Sequence, residues 1–431
     1  MRRTCRCINC ITPPHLLKKL LESTDKAVRE AALNTLLTTE RLRGERVVRS
    51  FQGLAAAPGR GRRTVLDCRN GTRLASATVV RTEDGEEEAD GAANRAFEGL
   101  GTTRDFFREV LDRDSIDGRG MRLDGYVHRG RAFNNAFWDG REMVFGDGDG
   151  VLFADFTMSL DVIAHELTHG VTEHAAGLVY SMQSGALNES VSDVFGSLVK
   201  QWARGETAEE ADWLIGAEVF TPRIGADALR SMKAPGTAYN NQQLGKDPQP
   251  DHMSRFVQLS DTEEGDFGGV HINSGITNKA FYVVATEIGG HAWEAPGHIW
   301  YEALKASSET TNFQQFADTT HAKAGQLYGA GSAQQKAVVE GWREVGVRIS
   351  GVPILAGGGA AAGHARGRGA QNGRSDGGAG READGLAALK ARIEALAAQV
   401  KALTKDVDAA RGGRADRPSP GRAAANPVGA L

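Results

Sequence analysis

Apolar positions at the start of the chain fall at helical spacing. Leu16, Leu17, Leu20 and Leu21 make one stripe, and Val28, Ala31, Ala32 and Leu36 make a second. Residues 15–43 therefore predict two amphipathic helices, the second capped by Ser23 and Thr24. Pro13-Pro14 just ahead predict an extended entry. Short strand-like runs follow at 64–66 and 75–80, with Asn70-Gly71 between them as a hairpin signal. A helix is expected near 93–112 and further strands at 124–128 and 142–145. Helices alone are expected afterwards, at 158–176, 187–204, 275–289, 296–307, 312–328 and 332–345. A strand-rich half followed by a helix-rich half gives an α+β fold, not alternating α/β.

The periodicity then stops. Residues 356–385 are rich in Gly, Ala and Arg and almost free of large apolar side chains, a composition that predicts a disordered linker. Beyond it Leu386, Leu389, Ile393, Leu396, Val400, Leu403 and Val407 recur at spacings of 3 and 4. This seam of about three heptads predicts a homo-oligomer through 386–407, the alternative being one amphipathic helix docking on its own body. The expected organisation is a pro-segment over 1–55, a β-rich lobe over 56–172 and an α-helical lobe over 173–348. A Gly-rich linker over 349–385, a coiled-coil-like helix over 386–411 and a disordered tail over 412–431 complete it. The basic, Gly-rich stretch at 44–62 suits a processing site.

Charge removes two classes of partner. Lys+Arg 51 against Asp+Glu 55 leaves a net −4, without the clustered basic face of a nucleic-acid binder. No apolar run reaches the ~18 residues of a membrane span. Cys5, Cys7 and Cys10 are spaced like half of a metal knuckle, but no second ligand pair follows. The basic N-terminus reaches no apolar core of a signal peptide.

Chemistry concentrates in DVIAHELTHGVTEH at 161–174. His165 and His169 stand four apart, so on a helix both imidazoles reach one ion, and Glu166 beside them can address its water. A catalytic zinc takes three protein ligands, and Glu189 on the next helical stretch can be the third. Asn188 and Asp193 are candidates to hold the distal nitrogens of the two histidines. His271 alone reads as a core histidine at least as readily as a functional one.

HELTHGVTEHAAGLVYSMQSGALNESVSDVFG, NNAFWDGREMVFGDGDG and GGVHINSGITNKAFY together resemble the thermolysin family of neutral zinc metalloendopeptidases over about residues 63–348. CITPPHLLKK is similar to the short propeptide of the protealysin-like branch. The resemblance implies a zinc site in a cleft between a β-rich and a mainly α-helical lobe. It implies one catalytic Zn²⁺ on His165, His169 and Glu189, with Glu166 as proton shuttle. Tyr180 and His271 would donate to the oxyanion, and Asp266 would orient His271. Asn135 and the backbone of Ala136 would hold the substrate main chain, and Arg230 the carbonyl beyond the scissile bond. Phe153, Phe156, Val162 and Leu229 would form an apolar pocket for the residue after that bond. The implied activity is cleavage on the N-terminal side of large apolar residues by an enzyme made as a zymogen, its partners a peptide or protein substrate and its own propeptide.

Calcium departs from the family pattern. Asp161, Asp212 and Glu218 match a double calcium site, but Lys200, Leu214 and Ala217 replace carboxylates there. Thr221 and Asp227 keep part of another site. At most one or two structural Ca²⁺ are expected, with Lys200 as an internal counter-ion. DGDG at 147–150 reads as a turn. The other histidines, including His15 and His128, read as surface or packing residues. The family implies work outside the cell, and the missing leader implies leaderless export or a cytoplasmic precursor. A dead-site binding module and a protein whose tail carries the main role are the rival classes, and the intact constellation argues against the first.

Overall fold

Six short strands form one mixed sheet in the computed structural model, which describes residues 9–51 and 61–352, with 43–51 described by backbone course alone. They are β1 (Asn9–Cys10), β2 (Arg63–Asp67), β3 (Thr78–Thr82), β4 (Leu123–Val127), β5 (Ala136–Trp138) and β6 (Glu142–Phe145), in the order β1-β5-β6-β4-β2-β3. β4 runs parallel to β2 and β6, and the other pairings are antiparallel. Between β2 and β3 the tight turn places Arg69 and Asn70, not Gly71, in the left-handed region (φ 49° and 60°). Gly71 N–H donates to Cys68 O at 2.7 Å to close it. β1 and β5 were not expected: two and three residues are too few to show a period of two.

Two helices precede the sheet's main strands, α1 (Pro14–Leu20) and α2 (Lys26–Phe51). Pro13 is extended (φ −63°, ψ 145°), but Pro14 starts the helix, where its missing N–H costs nothing. Ser23 and Thr24 do not cap α2; Asp25 Oδ1 takes the Ala27 N–H at 2.8 Å. Leu16, Leu17 and Leu20 are buried.

Helices α3 (Gly91–Leu111), α4 (Leu160–Ala175), α5 (Met182–Arg204), α6 (Asp266–Ile288), α7 (Ala295–Ala306), α8 (Phe313–Tyr328) and α9 (Ala333–Glu344) follow. The molecule thus has a β-rich N-terminal lobe and a mainly helical C-terminal lobe. α4 packs on α3 and β5 on one side and on α5 on the other, which puts one helix in both lobes. Its residues 161–172 are all buried. α6 starts nine residues before expectation because Asp266, Phe267, Gly268 and Gly269 take positive φ and break the periodicity ahead of Val270.

The Lys200 ammonium lies among oxygens in the C-terminal lobe. It reaches Asp161 Oδ2 at 2.9 Å, Asp212 Oδ1 at 3.0 Å and the Leu214 carbonyl at 2.7 Å. Two short strands, β7 (Leu214–Ile215) and β8 (Arg230–Ser231), pair beside it. Burial lowers the Lys200 pKa, but Asp161 and Asp212 outweigh it and hold the group above the ordinary lysine range.

Cys5, Cys7, residues 52–60 of the expected processing stretch, the linker beyond 352, the seam at 386–407 and the tail lie outside the described residues, and α2 runs past the expected helix end at 43 to Phe51, inside that stretch. No helix among the described residues is long and apolar enough to cross a membrane.

Candidate active site

Helical geometry brings the histidines together. On α4 the Nε2 atoms of His165 and His169 are 3.0 Å apart. α5 crosses α4 so that Glu189 Oε2 is 3.6 Å from His165 Nε2 and Glu189 Oε1 is 3.5 Å from His169 Nε2. All three side chains are completely buried.

The distal ring nitrogens are held. His165 Nδ1 lies 2.8 Å from Asp193 Oδ1. His169 Nδ1 lies 2.8 Å from Asn188 Oδ1 and 3.0 Å from Ser192 Oγ. These contacts aim both Nε2 lone pairs at one point. Burial first, and then the neighbouring His165, pushes the His169 pKa well below 6.5, so the ring is neutral, as a metal ligand must be. Glu189 Oε2 is buried and has no hydrogen-bond partner. Two imidazole nitrogens and an orphaned carboxylate oxygen are a donor set that fits Zn²⁺. Among the described residues this is the one His/Cys/Asp/Glu group close enough to hold a metal ion.

Glu166 points from α4 towards β5 and accepts the Trp138 N–H at Oε2, 3.0 Å away. Burial, joined by the charge of Glu189, raises its pKa well above the ordinary carboxylate range. Tyr180 OH donates to Glu189 Oε1 in a short contact and lies 3.1 Å from His271 Nε2. Asp266 Oδ1 is 2.5 Å from His271 Nδ1, and its Oδ2 accepts the His271 N–H at 2.9 Å. Burial opposes charge on His271, but Asp266 and then Glu189 outweigh it and raise its pKa to about 9.

Arg230 grips Asp193 with two bonds of 2.8 Å, and Asn278 Nδ2 adds a third of 2.8 Å. Burial works against the Asp193 charge, but Arg230 and His165 hold the pKa far below the usual carboxylate range. One carboxylate thereby fixes both a histidine and the arginine across the cleft. Phe153 and Phe156 stack at 5.9 Å, and with Val162 and Leu229 they belong to one buried apolar cluster. Thr221 Oγ1 donates to Val151 O at 2.6 Å and Asp227 is exposed. Asp149 Oδ1 accepts the Val151, Leu152 and Phe153 N–H groups, which places the bend at 150–152, just after the turn expected at 147–150.

Residues 57–173 match the family model described as thermolysin metallopeptidase, catalytic domain, and 176–347 match thermolysin metallopeptidase, alpha-helical domain. The chain belongs to the thermolysin family of metallopeptidases. It is 44% identical over 346 residues to an extracellular metalloprotease of Pectobacterium carotovorum subsp. carotovorum, covering 80% of this chain and 98% of the relative. Protease PrtS of Photorhabdus sp. (strain Az29) is 41% identical over 346 residues, 79% of this chain and 92% of the relative. Thermolysin of Alicyclobacillus acidocaldarius subsp. acidocaldarius is 41% identical over 266 residues, 60% of this chain and 46% of the relative. Among solved structures, the precursor of protealysin, a metalloproteinase from Serratia proteamaculans, superposes with a TM-score of 0.71 at 44% identity, covering 79% of this chain and 99% of that one.

This thermolysin-family cleft also contains groups that sequence spacing did not single out. Ser192 supports His169 from the α5 turn that carries Glu189. The N-terminal segment lies in the cleft: Arg230 Nη1 donates to Ile11 O at 3.2 Å and His271 Nε2 meets Cys10 O at 3.1 Å. His15 is buried behind it, its Nε2 2.9 Å from Tyr239 OH. The Pro-Pro and leucine pattern around His15 signalled a helix, but no local pattern could give its partner 224 residues away.

Proposed function

We propose that this metallopeptidase is a zinc-dependent endopeptidase that cuts on the N-terminal side of large apolar residues, with a pro-segment over 1–55 that holds it as a zymogen. The single observation that carries this reading is the convergence of His165, His169 and Glu189 with Glu166 on the adjoining turn. Zn²⁺ on three protein ligands keeps one position open and lowers the pKa of bound water to about 7. Glu166, acting as the carboxylate and held by the Trp138 N–H, takes a proton from the attacking water and passes it to the leaving nitrogen. Tyr180 and the cationic His271, fixed by Asp266, donate to the carbonyl oxygen as it gains charge, each worth about 3–4 kcal/mol in such a site. Asn135 and the Ala136 carbonyl align the main chain, Arg230 takes the next carbonyl, and Phe153, Phe156, Val162 and Leu229 receive the apolar side chain. The lobes run over 56–172 and 173–348. The extracellular relative and the precursor neighbour support a secreted working form released from its propeptide.

Glu166→Gln tests this reading. Its zinc content should stay near one per chain, since the three ligands remain, while peptidase activity falls about 10²–10⁴-fold. A zinc-loaded Glu166→Gln enzyme that turns over like the wild type would refute the role.

A further inference from the structure

Residues 9–12 do more than fill the cleft. β1 pairs with β5 in antiparallel register, Asn9 opposite Trp138 and Cys10 opposite Phe137. The Ile11 N–H donates to Ala136 O at 3.3 Å. The Thr12 N–H donates to Asn135 Oδ1 at 3.0 Å. Arg230 donates to the Ile11 carbonyl at 3.2 Å and His271 Nε2 faces the Cys10 carbonyl at 3.1 Å. These are the groups assigned above to a substrate's main chain, engaged in substrate order. The carbonyl at the oxyanion donors belongs to Cys10. The nitrogen one bond further on belongs to Ile11, and its N–H also addresses the Glu166 carboxylate. The Ile11 side chain is fully buried in the cluster that contains Phe153, Phe156, Val162 and Leu229.

We infer that the Cys10–Ile11 peptide bond is itself a substrate, seated in the scissile position and hydrolysed by the chain's own active site. This rests on the proposed peptidase mechanism. A water oxygen adds to the Cys10 carbonyl carbon, its proton passes through Glu166 to the Ile11 nitrogen, and the C–N bond breaks. Cys10 leaves as a carboxylate and Ile11 becomes a new amino terminus, with no change of oxidation state. The Ile11 side is anchored by Thr12, by His15 on Tyr239 and by buried Leu16, Leu17 and Leu20. The retained amine stays beside the break and favours religation, so the cut is slow and the cut form remains blocked until 11–42 departs.

The test uses the full chain loaded with zinc, followed by intact-mass spectrometry and N-terminal sequencing over a hundredfold dilution series. A species beginning Ile-Thr-Pro-Pro should accumulate at a rate that does not change with dilution, and Glu166→Gln should not form it. Ile11→Asp should lose this cut, and Ile11→Leu should keep it. The matured fraction is assayed in parallel on an unrelated peptide with an internal leucine. Cleavage of that peptide with Cys10–Ile11 intact overturns the inference and leaves the peptidase reading standing. Failure on both overturns the peptidase reading and the inference with it. A cut that persists in Glu166→Gln, or whose rate scales with concentration, assigns the event to another molecule and also overturns it.

Discussion

His128 sits between two carboxylates, Nδ1 2.8 Å from Asp147 and Nε2 2.7 Å from Asp90. The hydrogen bond to Asp147 is the largest influence on it; burial opposes, Asp90 adds, and the pKa rises from 6.5 to about 9. A histidine whose folded pKa is raised stabilises fully below its unfolded pKa, and that stability drains as pH climbs through the folded value. Between pH 6.5 and 9.5 the wild type should therefore lose up to about 3 kcal/mol, less whatever solvent screening removes at this partly exposed site. His128→Gln should flatten that slope in melting temperature against pH; an unchanged slope would clear His128 of the effect. At this scale legibility follows sequence distance. His165, His169 and Glu166 could be read because a helix repeats every 3.6 residues. The partners of His128 lie 19 and 38 residues away, across a turn and a helix cap that no local pattern connects.

At the level of elements, α3, α4, α7, α8 and α9 were readable within a few residues, and β1, β5 and the start of α6 were not. β1 and β5 are defined by each other's hydrogen bonds and not by composition. The start of α6 was hidden because positive-φ residues break the apolar period where His271 must be aimed. α1 shows how such an element can carry a regulatory property. Its His15 is buried, faces Tyr239, and has an unpartnered Nδ1. Burial chiefly, with His271, Arg230 and Lys18 against the attraction of Asp266, lowers its pKa to about 4. A histidine lowered on docking binds well above pH 6.5 and progressively worse as pH falls from 6.5 towards 4. Docking of α1 should weaken about twentyfold between pH 7 and pH 5. The ratio of wild-type to His15→Asn maturation rates should rise over that interval, since catalytic pH effects cancel in the ratio. A flat ratio would show that α1 does not respond to acid through His15.

For the whole molecule, the α+β division and the zinc constellation were legible because three separated motifs carry their own spacing. The individual contacts of the N-terminal segment were not, because they lie more than 120 residues away in sequence at Asn135 and more than 200 away at Arg230 and His271. The Lys200 cluster lies between these cases. Its lysine could be read as out of place among carboxylates, and the structure supplies the oxygens it satisfies. With zinc kept saturating, melting temperatures in millimolar calcium and in a calcium chelator should agree within about 2 °C. Lys200→Met should cost about 3–5 kcal/mol in denaturant unfolding by leaving the buried Asp161 charge without its lysine. A calcium-dependent shift of many degrees would contradict the counter-ion role.

An ammonium carried on the chain has no dissociation constant and cannot be diluted. Its occupancy is one in any fluid, from the moment α5 packs against Asp161. At this cluster the C-terminal lobe carries its own cation, and a chelator has nothing there to remove. At that one point the fold gives up an external dial on its lifetime.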